Sequence, residues 1–283
     1  TLMNKIYNDI INEELYFDKM ENGLEVFYIP KKGFVNKYAV LGVDFGSNDL
    51  EFVPIGETEK IRVSEGIAHF LEHKMFEQAD GSNAFDEFSR LGASANAFTG
   101  FTMTAYLFSA TENFYPSLKH LIEYVEAPYY TEENVEKEKG IIAQEIKMYQ
   151  DDPDWNVYFN CLKAMYSKHH TNIDIAGSVD SIYKITPEEL YKCYNTFYNP
   201  ANMKLFIVGD LDPDKLIETI KEANNDDIDF SENIERFMEK EPLEINESLI
   251  VDKYTVSMPM FYIGYKDEFV KREARESLKL EII

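Results

Sequence analysis

Residues 66–73 read Gly66-Ile67-Ala68-His69-Phe70-Leu71-Glu72-His73. On a helix, His69 and His73 leave one face a single turn apart, the spacing at which two imidazole nitrogens can reach one metal ion. Glu72 adjoins the pair, and Ile67, Leu71 and Met75 form an apolar stripe that would anchor the helix in a core. The plainer reading is two ordinary histidines on an amphipathic helix. With only five histidines in the chain, two at this spacing with a glutamate beside them outweigh it.

Two histidines are too few for a catalytic zinc, which takes three protein ligands and leaves one position open. The segment 131–150 reads as a helix that carries Glu138 and Glu145 on one face, two turns apart. Glu132, Glu133 and Glu136 are accounted for by the helix N-terminus and solvent. Glu145 lies among Ile141, Ile142, Ile146 and Met148, where an unpaired buried carboxylate would be costly. Spacing alone leaves Glu138 and Glu145 both open as the third ligand.

Outward from this pair, residues 24–30 and 38–46 read as strands separated by turn residues Lys31-Lys32-Gly33. Ser64 is positioned to cap the helix over about 65–76, and Ser82 one over 83–91 that ends at Gly92. Strands near 94–99 and 102–109 follow, then helices over about 112–126, 131–150 and 154–167. Thr186 caps a helix opened by Pro187, 202–208 is a strand, and Pro213 starts a further helix. Residues 224–248 are acidic and lack a sustained apolar period, as a connector does. Residues 249–265 read as two more strands. The layout is α+β, with a domain over 1–223, a connector over 224–248, and the start of something else over 249–283.

The formal net charge is −24. Such a surface repels phosphate backbones and anionic headgroups, so nucleic acid and membrane are not expected partners. Solubility is its simplest account; a field that draws in basic peptides is the sharper one. Hydrophobic residues make up 45% and aromatics 14%, ample for a core. Cys161 and Cys193 both fall in helical segments, which suggests core packing in a reduced, cytoplasmic setting rather than a disulfide.

His69-Phe70-Leu71-Glu72-His73, followed by Glu138 and Glu145, resembles the pitrilysin/insulinase family of inverted-motif zinc peptidases, in particular the bacterial branch related to mitochondrial processing peptidase. The resemblance implies a mixed, mostly antiparallel sheet of about six strands covered by helices. It implies zinc held by His69, His73 and Glu145, with Glu72 as general base and Glu138 in support. The interval from His73 to Glu145 is slightly shorter than in better-known members, which keeps Glu138 open as the alternative ligand. Unaided, 93–109 reads as an ordinary hairpin. The resemblance instead implies an edge strand at Asn96-Ala97-Phe98-Thr99 beside the zinc, to which a peptide adds as a further strand, with Phe98 and Phe101 as pocket walls.

Residues 258–265 resemble the opening strands of a second, homologous half, which family members carry in the same chain or in a partner. The chain therefore reads as the N-terminal portion of a longer protein. The expected function is a zinc endopeptidase acting on peptides or unfolded segments. The alternative is a non-catalytic interaction or scaffold subunit of the same fold.

Overall fold

Strict alternation marks the strand at the centre of the sheet. From Met203 to Gly209, Met203, Leu205 and Ile207 are buried while Lys204 and Phe206 face outward. The computed structural model describes residues 4–224 and 233–267. In chain order its elements are β1 (Asn4–Asn8), β2 (Glu13–Lys19), β3 (Glu25–Pro30), β4 (Lys37–Val43), β5 (Glu51–Phe52), β6 (Ile61–Arg62), α1 (Ile67–Lys74), α2 (Ala84–Leu91), β7 (Ser94–Thr99), β8 (Thr104–Ala110), α3 (Phe114–Val125), α4 (Glu132–Gln150), α5 (Pro153–Met165), α6 (Val179–Ile182), α7 (Pro187–Phe197), β9 (Met203–Gly209) and α8 (Pro213–Ala223).

Seven strands form one sheet in the order β1-β2-β3-β9-β4-β8-β7. All ladders are antiparallel except β3 with β9. The fold is α+β with a mixed, mostly antiparallel sheet, as expected. The two strands of this sheet not read from the sequence are those of the β1–β2 hairpin. All five residues of β1 are exposed, so no apolar alternation marks it in the sequence.

The strands at 24–30 and 38–46 are both present but are not ladder partners. β9 lies between them, parallel to β3 and antiparallel to β4. A parallel pair needs a long crossover, and the chain between β3 and β9 supplies it. The inner face of the sheet buries Val26, Tyr28, Leu41, Tyr106, Phe108, Leu205 and Ile207. α1 packs on β7 and β8, and α3 on β8 and β4. Burying Ile67, Leu71 and Met75 fastens α1 there, each worth roughly 1.5–3 kcal/mol.

The chain divides into two compact units: Thr1–Met148 with Asp174–Phe237, and Tyr149–Ile173 with Met238–Ile283. The first holds the sheet and every candidate site residue. Part of the acidic stretch belongs to it. Arg236 reaches Asp49 at 3.1 Å and Asp44 at 3.3 Å, and backbone bonds join Glu235 to Val53 and Phe237 to Glu51. In the second unit α5 is the one long helix among the described residues. The buried Glu241 carboxylate accepts from the backbone N–H groups of Ser167, Lys168 and His169 and pairs with Lys266 at 2.5 Å.

Residues 249–265, expected as two strands, form none. A strand needs a ladder partner, and β-propensity alone does not create one. Cys193 is buried, while Cys161 is only partly so; neither is paired.

Candidate metal centre

The helix that carries the paired histidines begins under tight constraint. Gly66 has φ 86°, and a Cβ on it would lie 2.3 Å from the carbonyl oxygen of Ala176. Gly177, with φ 74°, would in turn place a Cβ 2.5 Å from the Glu65 carbonyl oxygen. Glycine at both positions lets two backbone segments cross in contact and fixes where α1 starts. Ser64 does not cap the helix as expected. Its N–H and hydroxyl donate instead to Glu189, at 2.6 and 3.1 Å, and Gly66 takes the N-cap position. Asn83, not Ser82, caps α2.

His69 and His73 project from one face of α1, with ring centroids 4.6 Å apart. α4 brings Glu145 opposite them. His69 Nε2 lies 3.7 Å from Glu145 Oε1, and His73 Nε2 lies 3.3 Å from Glu145 Oε2. One donor atom from each of the three lies within 4.8 Å of the others. A tetrahedral zinc with bonds of about 2.1 Å sets its ligand atoms roughly 3.4 Å apart, so small rotations of these side chains would close the set on an ion. Two imidazoles and one carboxylate are a zinc donor set.

Glu138 sits at the other nitrogen of His73, with Nδ1 3.0 Å from its Oε1. With a proton held at Nδ1 by Glu138, it is the Nε2 proton that a metal ion would displace, giving the tautomer that a metal ligand needs. His73 Nε2 therefore points into the cluster and Glu138 lies outside it. His69 Nδ1 is buried and has no hydrogen-bond partner among the described residues.

The titration of the pair reflects these surroundings. Burial, with the neighbouring His73 adding to it, pushes His69 down to about 4 and keeps it neutral. Burial lowers His73 as well, but bonds to Glu138 and Glu145 override this and raise it to about 10. The two carboxylates thus favour positive charge at the His73 ring, and on its Nε2 side, where Glu145 lies, a divalent cation could supply it. Burial also raises the Glu72 carboxyl, opposed by a hydrogen bond from Thr99 and by His73.

β7 is the last strand of the sheet, and β8 is its one ladder neighbour among the described residues. Asn96 and Phe98 face outward, with Phe98 47% exposed, while Ala97 and Thr99 turn toward α1. Phe101 lies in the turn to β8. Its carbonyl accepts from Asn48 N–H at 2.9 Å, and Gly46 passes so close that a Cβ there would meet the Phe101 backbone at 2.5 Å. Thr99 carries a role that the edge-strand motif does not mark. Its hydroxyl donates to Glu72 Oε2 at 2.6 Å. The alternation that turns Phe98 outward also turns Thr99 inward, and that was the available clue.

Two family models match the chain, and the first spans these residues. The insulinase (peptidase family M16) model matches 52–178, and the peptidase M16 inactive domain model matches 184–271. The uncharacterized zinc protease YmfH of Bacillus subtilis is 48% identical over 276 residues, which are 96% of this chain and 64% of that one. Zinc protease PqqE of Helicobacter pylori is 26% identical, covering 92% and 58%. An M16-like peptidase from Alicyclobacillus acidocaldarius superimposes with TM-score 0.78 at 42% identity, over 83% of this chain and 55% of its own. The chain thus spans between about half and two thirds of the length of these relatives. The first model contains the whole histidine–glutamate cluster, the second continues it along the chain, and the sheet matches that of the M16-like peptidase, so this chain belongs to the insulinase family, peptidase family M16.

Proposed function

We propose that this chain supplies the zinc site and general base of an endopeptidase that hydrolyses peptide bonds in peptides or unfolded segments. The convergence of His69, His73 and Glu145 beside a buried Glu72 carries this reading. The relatives named zinc proteases support the choice of metal. When bound, zinc supplies Lewis-acid chemistry, polarising a carbonyl and lowering the pKa of water toward about 7. Glu138 holds His73 in the correct tautomer. Glu72, next to the ligands but not among them, takes the proton from the attacking water and returns it to the leaving amine. Asn96, Ala97 and Phe98 belong to the edge strand along which an extended peptide is held, and Phe101 buttresses its turn.

The working enzyme would include a second half, in cis or in trans, to enclose the substrate and supply further donors. Alone, this chain should hydrolyse peptides feebly, since loss of one preorganised donor can cost about a hundredfold or more. The unpaired Cys161 and Cys193 support a cytoplasmic setting. A second reading, a non-catalytic subunit of the same fold, draws on the match of 184–271 to an inactive-domain model. The intact His69, Glu72 and His73 weigh against it.

The deciding experiment pairs the chain with its second half and measures zinc content and turnover of a quenched peptide library. Wild type should hold one zinc and turn over peptides. Glu72→Gln should keep the zinc and lose activity by roughly a thousandfold or more. Zinc without turnover in wild type would favour the scaffold reading.

A further inference from the structure

Hydrogen bonding around β7 shows which way its backbone faces. Gly100 N–H donates to Met103 O at 2.7 Å, which closes the hairpin toward β8. In an antiparallel ladder alternate residues share a direction, so Phe98 and Asn96 also bond toward β8. Thr99, Ala97 and Ala95 then direct their N–H and C=O groups to the open edge. Independent support comes from Ala97, whose N–H is taken by the Asn96 side chain at 2.9 Å rather than by β8.

Thr99 therefore has two outlets. Its backbone belongs to the open edge, and its hydroxyl donates to Glu72 Oε2 at 2.6 Å. Glu72 is nearly buried, and this is a charge-assisted bond at the short end of the usual range. Only Cβ separates the hydroxyl from the Thr99 backbone, and a β-branched side chain is stiff about χ1. A peptide paired to β7 would thus be registered against the carboxylate by one residue.

We infer that Thr99 is a positioning residue that ties the substrate-pairing edge of β7 to the general base, holding one oxygen of Glu72 so that the other faces the attacking water. The inference rests on the reading of Glu72 as base. It assigns Thr99 no contact with the metal and no share in peptide affinity, because the backbone edge is unchanged when the hydroxyl is removed.

The test uses the zinc-loaded protein with its second half, as wild type, Thr99→Val, Thr99→Ser and Glu72→Gln. Valine keeps the shape and removes the donor, whereas serine keeps the donor. Thr99→Val should retain one zinc per chain and leave KM within about threefold, while kcat falls roughly 10- to 100-fold, the range for a lost hydrogen bond to a charged group. Thr99→Ser should recover most of that loss. Binding of an extended peptide to the metal-free protein, followed by fluorescence anisotropy, should be the same in wild type and Thr99→Val. Unchanged kcat in Thr99→Val, or equal loss in valine and serine, overturns the inference. Loss of zinc or of peptide binding in Thr99→Val also overturns it, because the role would then be structural. If Glu72→Gln remains active, the general-base reading fails and the inference falls with it. If Glu72→Gln is inactive but Thr99→Val is fully active, only the role of Thr99 is lost.

Discussion

His73 is the side chain on which the candidate centre turns, because each of its ring nitrogens faces a different carboxylate. Glu145 and Glu138 are seven residues apart on one helix, yet they meet opposite ends of a single imidazole. Their effects on metal binding should differ accordingly. His73→Ala should abolish zinc retention, since two remaining ligands do not make a stable site. Glu138→Gln should weaken zinc binding only about 10- to 100-fold, the usual consequence of removing a supporting carboxylate. Elemental analysis after dialysis and competition with a chelator separate the two outcomes. Equal zinc in wild type and His73→Ala would sink the ligand assignment, and a larger loss in Glu138→Gln than in Glu145→Gln would exchange the two glutamates.

Placement of the centre depends on where α1 begins. Gly66 initiates the helix with φ 86°, and the carbonyl of Ala176 occupies the space a side chain would need. Its partner in the crossing, Gly177, is held further by Ser181 Oγ donating to Glu65 O at 2.8 Å. Gly66→Ala combines left-handed backbone strain with a clash against backbone that has no room to move. It should destabilise the protein by about 2–4 kcal/mol and lower the melting temperature by several degrees. Gly81→Ala, with φ 82° but open space around it, should cost about 1 kcal/mol. Thermal denaturation of the pair checks the comparison. A Gly66→Ala protein as stable as Gly81→Ala would show that the crossing is not what fixes the helix.

At the scale of the whole chain, the Glu241 carboxylate holds the second unit together. Its side chain is 3% exposed and that of Lys266 is 4% exposed. Burial alone would raise Glu241, but Lys266 and the three backbone donors bring it from an ordinary 4.5 down to about 2. A depressed carboxyl contributes stability that is present above its unfolded value and lost as pH falls through its folded one. Unfolding followed from pH 7 to pH 2 should therefore show a loss of stability beginning below about 4.5 and nearly complete near 2. Glu241→Gln should melt several degrees lower than wild type at pH 7, and the gap should close near pH 2. A gap that stays constant across this range would mean that packing, not charge, accounts for it.

The chemistry of the centre was legible in the order of residues, because an α-helix maps a spacing of four onto one face whatever surrounds it. His69, Glu72 and His73 needed only α1 to form, and the burial of Ile67, Leu71 and Met75 orients that face by the same periodicity. Most strands and helices were legible for the same local reason, including Thr186 as the cap of α7, whose hydroxyl accepts from Glu189 N–H. What depends on distant partners was not. Residues 24–30 and 38–46 could be read as strands, but the insertion of β9 between them is a choice among ladders that local pattern does not encode. Strand-like composition at 249–265 likewise gave no strand without a neighbour to pair with. Glu138 and Glu145 are equivalent in spacing. Only the packing of α4 against α1 distinguishes them, setting Glu145 between two imidazoles and Glu138 behind one, because a helix fixes which residues share a face while the fold fixes what that face meets.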